Sequence, residues 1–135
     1  MNEHQVFNWP VRVYFQDTDA GGVVYHASYV NFMERARTEW LRTHGYSNAG
    51  LMTAFGVMFV VRSIKLEYLR PALLDDMLDV TAQVHEIRRS RLNMRQSVRR
   101  GDEVMTTGEV NLVCVSRETF KPVSVPEALL LSWKI

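Results

Sequence analysis

Apolar and polar positions change their period several times along the chain, and each change marks an element. Val11, Val13 and Phe15 alternate with Arg12, Tyr14 and Gln16, the period-two pattern of a half-buried strand opening after Pro10. From Ser28 onward Tyr29, Phe32, Met33, Ala36, Trp40 and Leu41 recur at helical spacing. This predicts one long helix over residues 27–43, about 25 Å long. Arg35 and Glu39 are spaced as an i, i+4 pair on its polar face, and Glu34 can reach Arg37 or Thr38. Gly45 is a fitting stop.

A short helical turn is expected around Asn48 to Phe55. Val57 to Val61 is apolar on both faces, after which Ile64, Leu66 and Tyr68 alternate with Lys65 and Glu67. That predicts a strand that starts buried, becomes one-sided and ends at Pro71. Alternation resumes from Leu78 to Val84 and again from Leu92 to Val98. Gly101-Asp102 is a hairpin signal leading into Val104 to Val115, and Pro126-Glu127 opens a last short helix through Trp133. Strand, long helix, then four strands on short connections read as successive hairpins, hence an antiparallel sheet of α+β class. The apolar stripe of the helix must be buried, and the sheet is the only large surface to bury it. So thin a two-layer unit leaves sheet faces or edges uncovered, and self-association is expected.

The 135 residues read as a single domain, residues 1–135, with 47% hydrophobic and 23% charged content. A net charge of +1 gives no reason to expect nucleic acid or an anionic membrane as the main partner. The lead-in Met1-Asn2-Glu3-His4-Gln5 lacks the order of a signal peptide, and no apolar run approaches the roughly 18 residues of a membrane span. The lone cysteine, Cys114, lies between Val113 and Val115 and reads as core. A cytoplasmic location is the default expectation.

Candidate chemistry concentrates in residues 16–26, which hold Asp17, Asp19, Gly21, Gly22 and His26 between the first strand and the long helix. The first amides of a helix have no intrahelical acceptors and sit at its positive end. A carboxylate beside them can do chemistry on a carbonyl. The duller reading is an ordinary turn entering a helix. An EF-hand is excluded because Ser28 stands where the loop needs its bidentate glutamate. No nucleophile elbow, phosphate loop or zinc spacing occurs. Arg88, Arg89, Arg91, Arg95, Arg99 and Arg100 form a basic run over the third and fourth strands, read either as a solvated sheet face or as phosphate contacts. No aromatic residues interleave with them as nucleic-acid binding would require.

The run Asp17-Thr18-Asp19-Ala20-Gly21-Gly22-Val23-Val24-Tyr25-His26, followed by Tyr29, Phe32 and Glu34 to Glu39, resembles the signature of hotdog-fold acyl-CoA thioesterases. Within them the chain is similar to the 4-hydroxybenzoyl-CoA thioesterase type, and closer still to the bacterial branch associated with the Tol–Pal cell-envelope system. Phe59 to Arg62, Tyr68, Pro71-Ala72, Leu74 to Asp76 and Val113 to Val115 follow in the same order, with Gln16 where that branch commonly has glutamate. The resemblance implies a five-stranded antiparallel sheet wrapped around the central helix. It also implies a homodimer or homotetramer with active sites between subunits, and no metal or redox cofactor. Asp19 would attack the thioester or activate water, and a backbone amide near His26 would receive the oxyanion, which makes Asp19 and His26 the candidate catalytic residues. An aspartate is ordinarily ionised near neutrality and free for either role. Asp17 would cap the loop or orient its amides, and Glu34 is a rival base. Tyr25, Gly22 and Val60 are the candidate substrate contacts, with Arg89 and Arg91 for the phosphates of coenzyme A. An acyl-CoA, leaning to short chains, is the expected substrate, with acyl carrier protein as a possible alternative carrier. The rival reading is a non-enzymatic acyl-carrier- or complex-binding module linked to the cell envelope.

Overall fold

The computed structural model describes residues 5–133; residues 1–4 of the polar lead-in, and with them the test for a leader, lie outside these. The elements are β1 (Phe7–Arg12), α1 (Ser28–Thr43), α2 (Asn48–Phe55), β2 (Val57–Tyr68), β3 (Met77–Arg88), β4 (Arg91–Arg100), β5 (Glu103–Ser116) and α3 (Glu127–Trp133). The five strands form one antiparallel sheet in the order β1-β3-β4-β5-β2. The α+β architecture is as expected, a sheet curled over one long helix.

Four local expectations are corrected. The first strand begins at Phe7, so Pro10 lies inside it, paired with Asp79. Its missing N–H is tolerated because β1 is an edge strand. Phe15 is no core residue; it sits in a 3₁₀ turn over Phe15–Asp17 and is 82% exposed. Nor do the last four strands follow as successive hairpins. β3, β4 and β5 do, but β2 crosses to the far edge and pairs with β5. On α1, Glu39 pairs with Arg42 at 3.5 Å, not with Arg35, and Glu34 accepts from the Thr38 hydroxyl.

α1 lies across β1, β3 and β4. Its buried stripe, Tyr29, Phe32, Met33, Ala36, Trp40 and Leu41, meets the inner residues of the sheet, among them Val80, Ala82, Met94 and Val98. One polar group is built into this interface. The buried Gln96 donates to the carbonyls of Met33 and Thr81 and accepts from Arg37 Nη1 at 2.9 Å. α3 closes one end of the core by setting Trp133 against Trp40, ring centroids 5.0 Å apart. Beyond the reach of α1, the inner face of β2 stays open, with Val61 50% and Ile64 37% exposed.

A register irregularity between Val61 and Ser63 rephases β2. Before it, Phe59 and Val61 face inward opposite Cys114 and Leu112. After it, Ile64, Leu66 and Tyr68 face inward opposite Val110, Gly108 and Thr106. An uninterrupted period of two would have turned Lys65 and Glu67 inside instead.

Candidate active site

The segment from Thr18 to Val24 closes on itself, with bridges pairing Thr18 with Val24 and Val23 with Leu73. Within it the Asp19 amide donates to Val23 O at 2.9 Å and the Gly22 amide to Asp19 O at 3.0 Å. The Gly21 amide donates to Asp19 Oδ1 at 2.8 Å, which holds the carboxylate in one orientation. Oδ2 of Asp19 has no protein partner among the described residues. Gly22 has φ +81°, a conformation that favours glycine. Asp17 is turned the other way. Buried beneath the loop, its Oδ2 accepts from the Tyr14 amide, while its carbonyl accepts from the Tyr25 amide and the Ser28 hydroxyl. Those are the contacts of a loop support.

The chain then turns directly into α1. Ser28 N–H donates to Tyr25 O at 2.8 Å and Val30 N–H to Ala27 O at 3.2 Å. No side chain caps the helix and no acidic residue lies in its first turn. Among the described residues, the amides of His26 and Ala27 have no hydrogen-bond acceptor. Two donors at the positive end of a helix are thus left open.

Asp19, Val23, Val24, His26, Tyr29, Tyr68, Leu69, Arg70 and Pro71 line one cavity of about 310 Å³. Tyr29 forms the floor. Its hydroxyl accepts from the Ala72 amide at 3.1 Å, and burial pushes this phenol above its usual range. Tyr68, at the end of β2, donates its hydroxyl to the His26 carbonyl at 3.0 Å. Its ring meets those of His26 and Tyr29 edge-on at 6.4 and 5.5 Å. Arg70 at the rim is ion-paired with Glu103 at 2.9 Å. Larger hollows of about 460 Å³ over the outer sheet face and about 580 Å³ beside α2 hold neither Asp19 nor an open helix amide.

Of the residues singled out in the sequence, Asp19 and His26 share this cavity. Gly22 shapes the loop behind it. Tyr25, 46% exposed, packs against the His26 ring with centroids 4.5 Å apart but does not line the cavity. Val60, Arg89 and Arg91 are not brought to it in this chain. Arg91 pairs with Val113, and Val113 with Val60, so all three lie at the end of the sheet opposite Tyr68. Tyr68, Tyr29 and Arg70 escaped selection as site residues. Tyr68 carried two signals, its phase in the alternation with Lys65 and Glu67 and its place among the residues of the family resemblance, but neither gave it a role.

A five-stranded antiparallel sheet wrapped around one long helix is the hotdog arrangement, the class to which the fold assigns this molecule. Comparison with known proteins narrows the class. Residues 13–132 match the family described as the Thioesterase-like superfamily, and the chain belongs to it. It is 47% identical over 130 residues to the acyl-CoA thioester hydrolase YbgC of Escherichia coli O6:H1, covering 96% of each protein. Among solved structures, a probable thioesterase from Bartonella henselae aligns with a TM-score of 0.86 at 34% identity, over 90% of this chain and 100% of that one. A mutant of 4-hydroxybenzoyl CoA thioesterase, complexed with 4-hydroxybenzoyl CoA, shares the fold at 20% identity and TM-score 0.89, over 96% and 99% of the two chains.

Proposed function

We infer that this chain is an acyl-CoA thioester hydrolase, and we propose that Asp19 and the amide of His26 do its chemistry. The observation that carries the mechanism is their meeting in one cavity: a carboxylate with a free oxygen, and a helix-start amide with no acceptor. The thioester oxygen accepts from the His26 N–H, which stabilises the negative charge that develops there. Asp19 Oδ2 either attacks the carbonyl carbon itself or takes a proton from the water that does. On the water route the carbon–sulfur bond then breaks, coenzyme A leaves as a thiolate that picks up the proton, and the acid is freed. On the direct route the thiolate leaves behind an anhydride of Asp19, which water hydrolyses to free the acid, restore the carboxylate and supply the thiolate's proton. The apolar wall of Val23, Val24 and Leu69 suits an acyl group, and short chains suit the size of the cavity.

The complete site comprises two copies of the chain. β2 is an edge strand with exposed apolar residues, so pairing two β2 edges antiparallel would complete the sheet. Any such pairing centred on the strand's middle sets the Tyr68 end of one copy beside the Val57 end of the other. That is the end at which Val60, Arg89 and Arg91 lie, so the second copy is the one to supply these contacts. The reaction belongs to the cytoplasm, on acyl groups carried by coenzyme A or by acyl carrier protein, in a role tied to the Tol–Pal envelope system. No helix of the described residues is long and apolar enough to cross a membrane.

The test compares wild type with Asp19→Asn on a panel of acyl-CoA thioesters. The substitution keeps the shape and removes the charge, and kcat/KM should fall about 10²- to 10⁴-fold. An Asn variant as active as wild type would defeat the mechanism. If neither protein cleaves any thioester, the acyl-carrier-binding module becomes the better reading.

A further inference from the structure

We propose that Tyr68 is a positioning residue of the reaction, holding His26 in the orientation that aims its amide and imidazole into the Asp19 cavity; this rests on the hydrolase reading above. His26 is flanked by two peptide planes, and each is pinned from outside. The plane before it is held by the Ser28 amide, which donates to Tyr25 O at 2.8 Å. The plane after it is held by the Tyr68 hydroxyl, which donates to His26 O at 3.0 Å. A peptide unit is rigid and planar, so fixing the oxygens of both units fixes φ and ψ of the residue between them. The direction of the His26 N–H follows, and so does the root of its side chain.

The need for an outside clamp is visible in the turn. His26 and Ala27 precede the first residue of α1, and neither has the side-chain cap that usually steadies such a turn. A cap would occupy the open amides. Tyr68 steadies the turn through a carbonyl and leaves the donors free. Its ring also contacts the His26 ring at 6.4 Å and the Tyr29 ring at 5.5 Å, so hydroxyl and ring act on the same few residues. The clamp depends on the register irregularity in β2. Without that extra residue Tyr68 would face the outer side of the sheet, away from His26.

Two measurements test the role on Tyr68→Phe, which removes one hydroxyl from a half-exposed side chain and keeps the ring. The first is kinetic. Loss of one positioning hydrogen bond should lower kcat about tenfold with KM within about twofold. The second needs no turnover. His26-Ala27 is the chain's one His-Ala pair, so ¹³C-carbonyl histidine with ¹⁵N alanine gives a single correlated signal. Its carbonyl shift should move when the Tyr68 hydroxyl is removed. Tyr68→Leu, lacking the ring as well, should lose more activity than Tyr68→Phe. Wild-type kcat in Tyr68→Phe overturns the proposal. So does a fall in kcat with an unmoved carbonyl signal, which would make the hydroxyl a direct substrate contact. Failure of the hydrolase reading shows separately, as a wild type that cleaves no thioester, and failure of the Asp19 mechanism as an unaffected Asp19→Asn.

Discussion

At the scale of single residues, burial separates the inert groups from the usable ones. Cys114 is fully buried in β5 opposite Phe59, and burial pushes its thiol from about 9 up to about 11. A group whose pKa is raised by folding stabilises the native state while it stays protonated. That contribution is lost as pH rises from the unfolded value through the folded one. Urea titrations of wild type and Cys114→Ala should therefore converge in relative stability between about pH 9 and pH 11. The native thiol should also resist a disulfide reagent at pH 8 until the protein is unfolded. Rapid labelling of the native protein would contradict this. Asp19 was legible in the sequence through the resemblance, since the local signals of acid, glycine and helix start mark Asp17 as well. Tyr68 was not legible as a site residue: its alternation with Lys65 and Glu67 gave its face, but the acceptor of its hydroxyl, the carbonyl of His26, is brought to it only by the fold.

At the scale of elements, α1 can sit close to the sheet because β5 carries a glycine beneath it. A Cβ at Gly108 would stand 2.7 Å from Met33 Sδ and 2.9 Å from Leu66 Cδ2. Both neighbours are side chains, so Gly108→Ala should fold, at a cost of about 1–3 kcal/mol for overpacking. Chemical denaturation checks the figure, and a change under about 0.5 kcal/mol would mean that α1 shifts freely on the sheet. Gln96→Leu attacks the same interface differently, by leaving Arg37 Nη1 and the Thr81 carbonyl without their partner. It should cost about 1–3 kcal/mol. The elements themselves could be read closely, since every strand but the first and all three helices fall within a few residues of the periodicity. What periodicity lacks is order in space. The apolar run Val57–Val61 signals burial on both faces but not which strand will lie beside it. Only the pairing of β2 with β5, which leaves β2 an edge, resolves that.

At the scale of the whole molecule, that edge governs what a second copy could do. Along β2, Val60, Val61 and Ile64 are 36%, 50% and 37% exposed, while the opposite edge strand β1 carries Pro10, which blunts it. Burying half-exposed side chains of this size contributes about 1 kcal/mol each. Strand pairing would also satisfy the row of backbone groups at the edge. The unfilled inner face of β2 lies at the same place, so one association event would cover both. Lysines at Val61 and Ile64 together would charge this face without touching Asp19, His26 or Tyr68. Sedimentation velocity of the double variant should show a species of half the wild-type mass or less. Its kcat/KM should drop more than tenfold if, as proposed above, the second copy supplies the contacts of Val60, Arg89 and Arg91. A double variant of unchanged mass would place the interface elsewhere. A monomer with full activity would show the Asp19 cavity to be complete within one chain, and the three residues at the far end of the sheet would then have no part in binding.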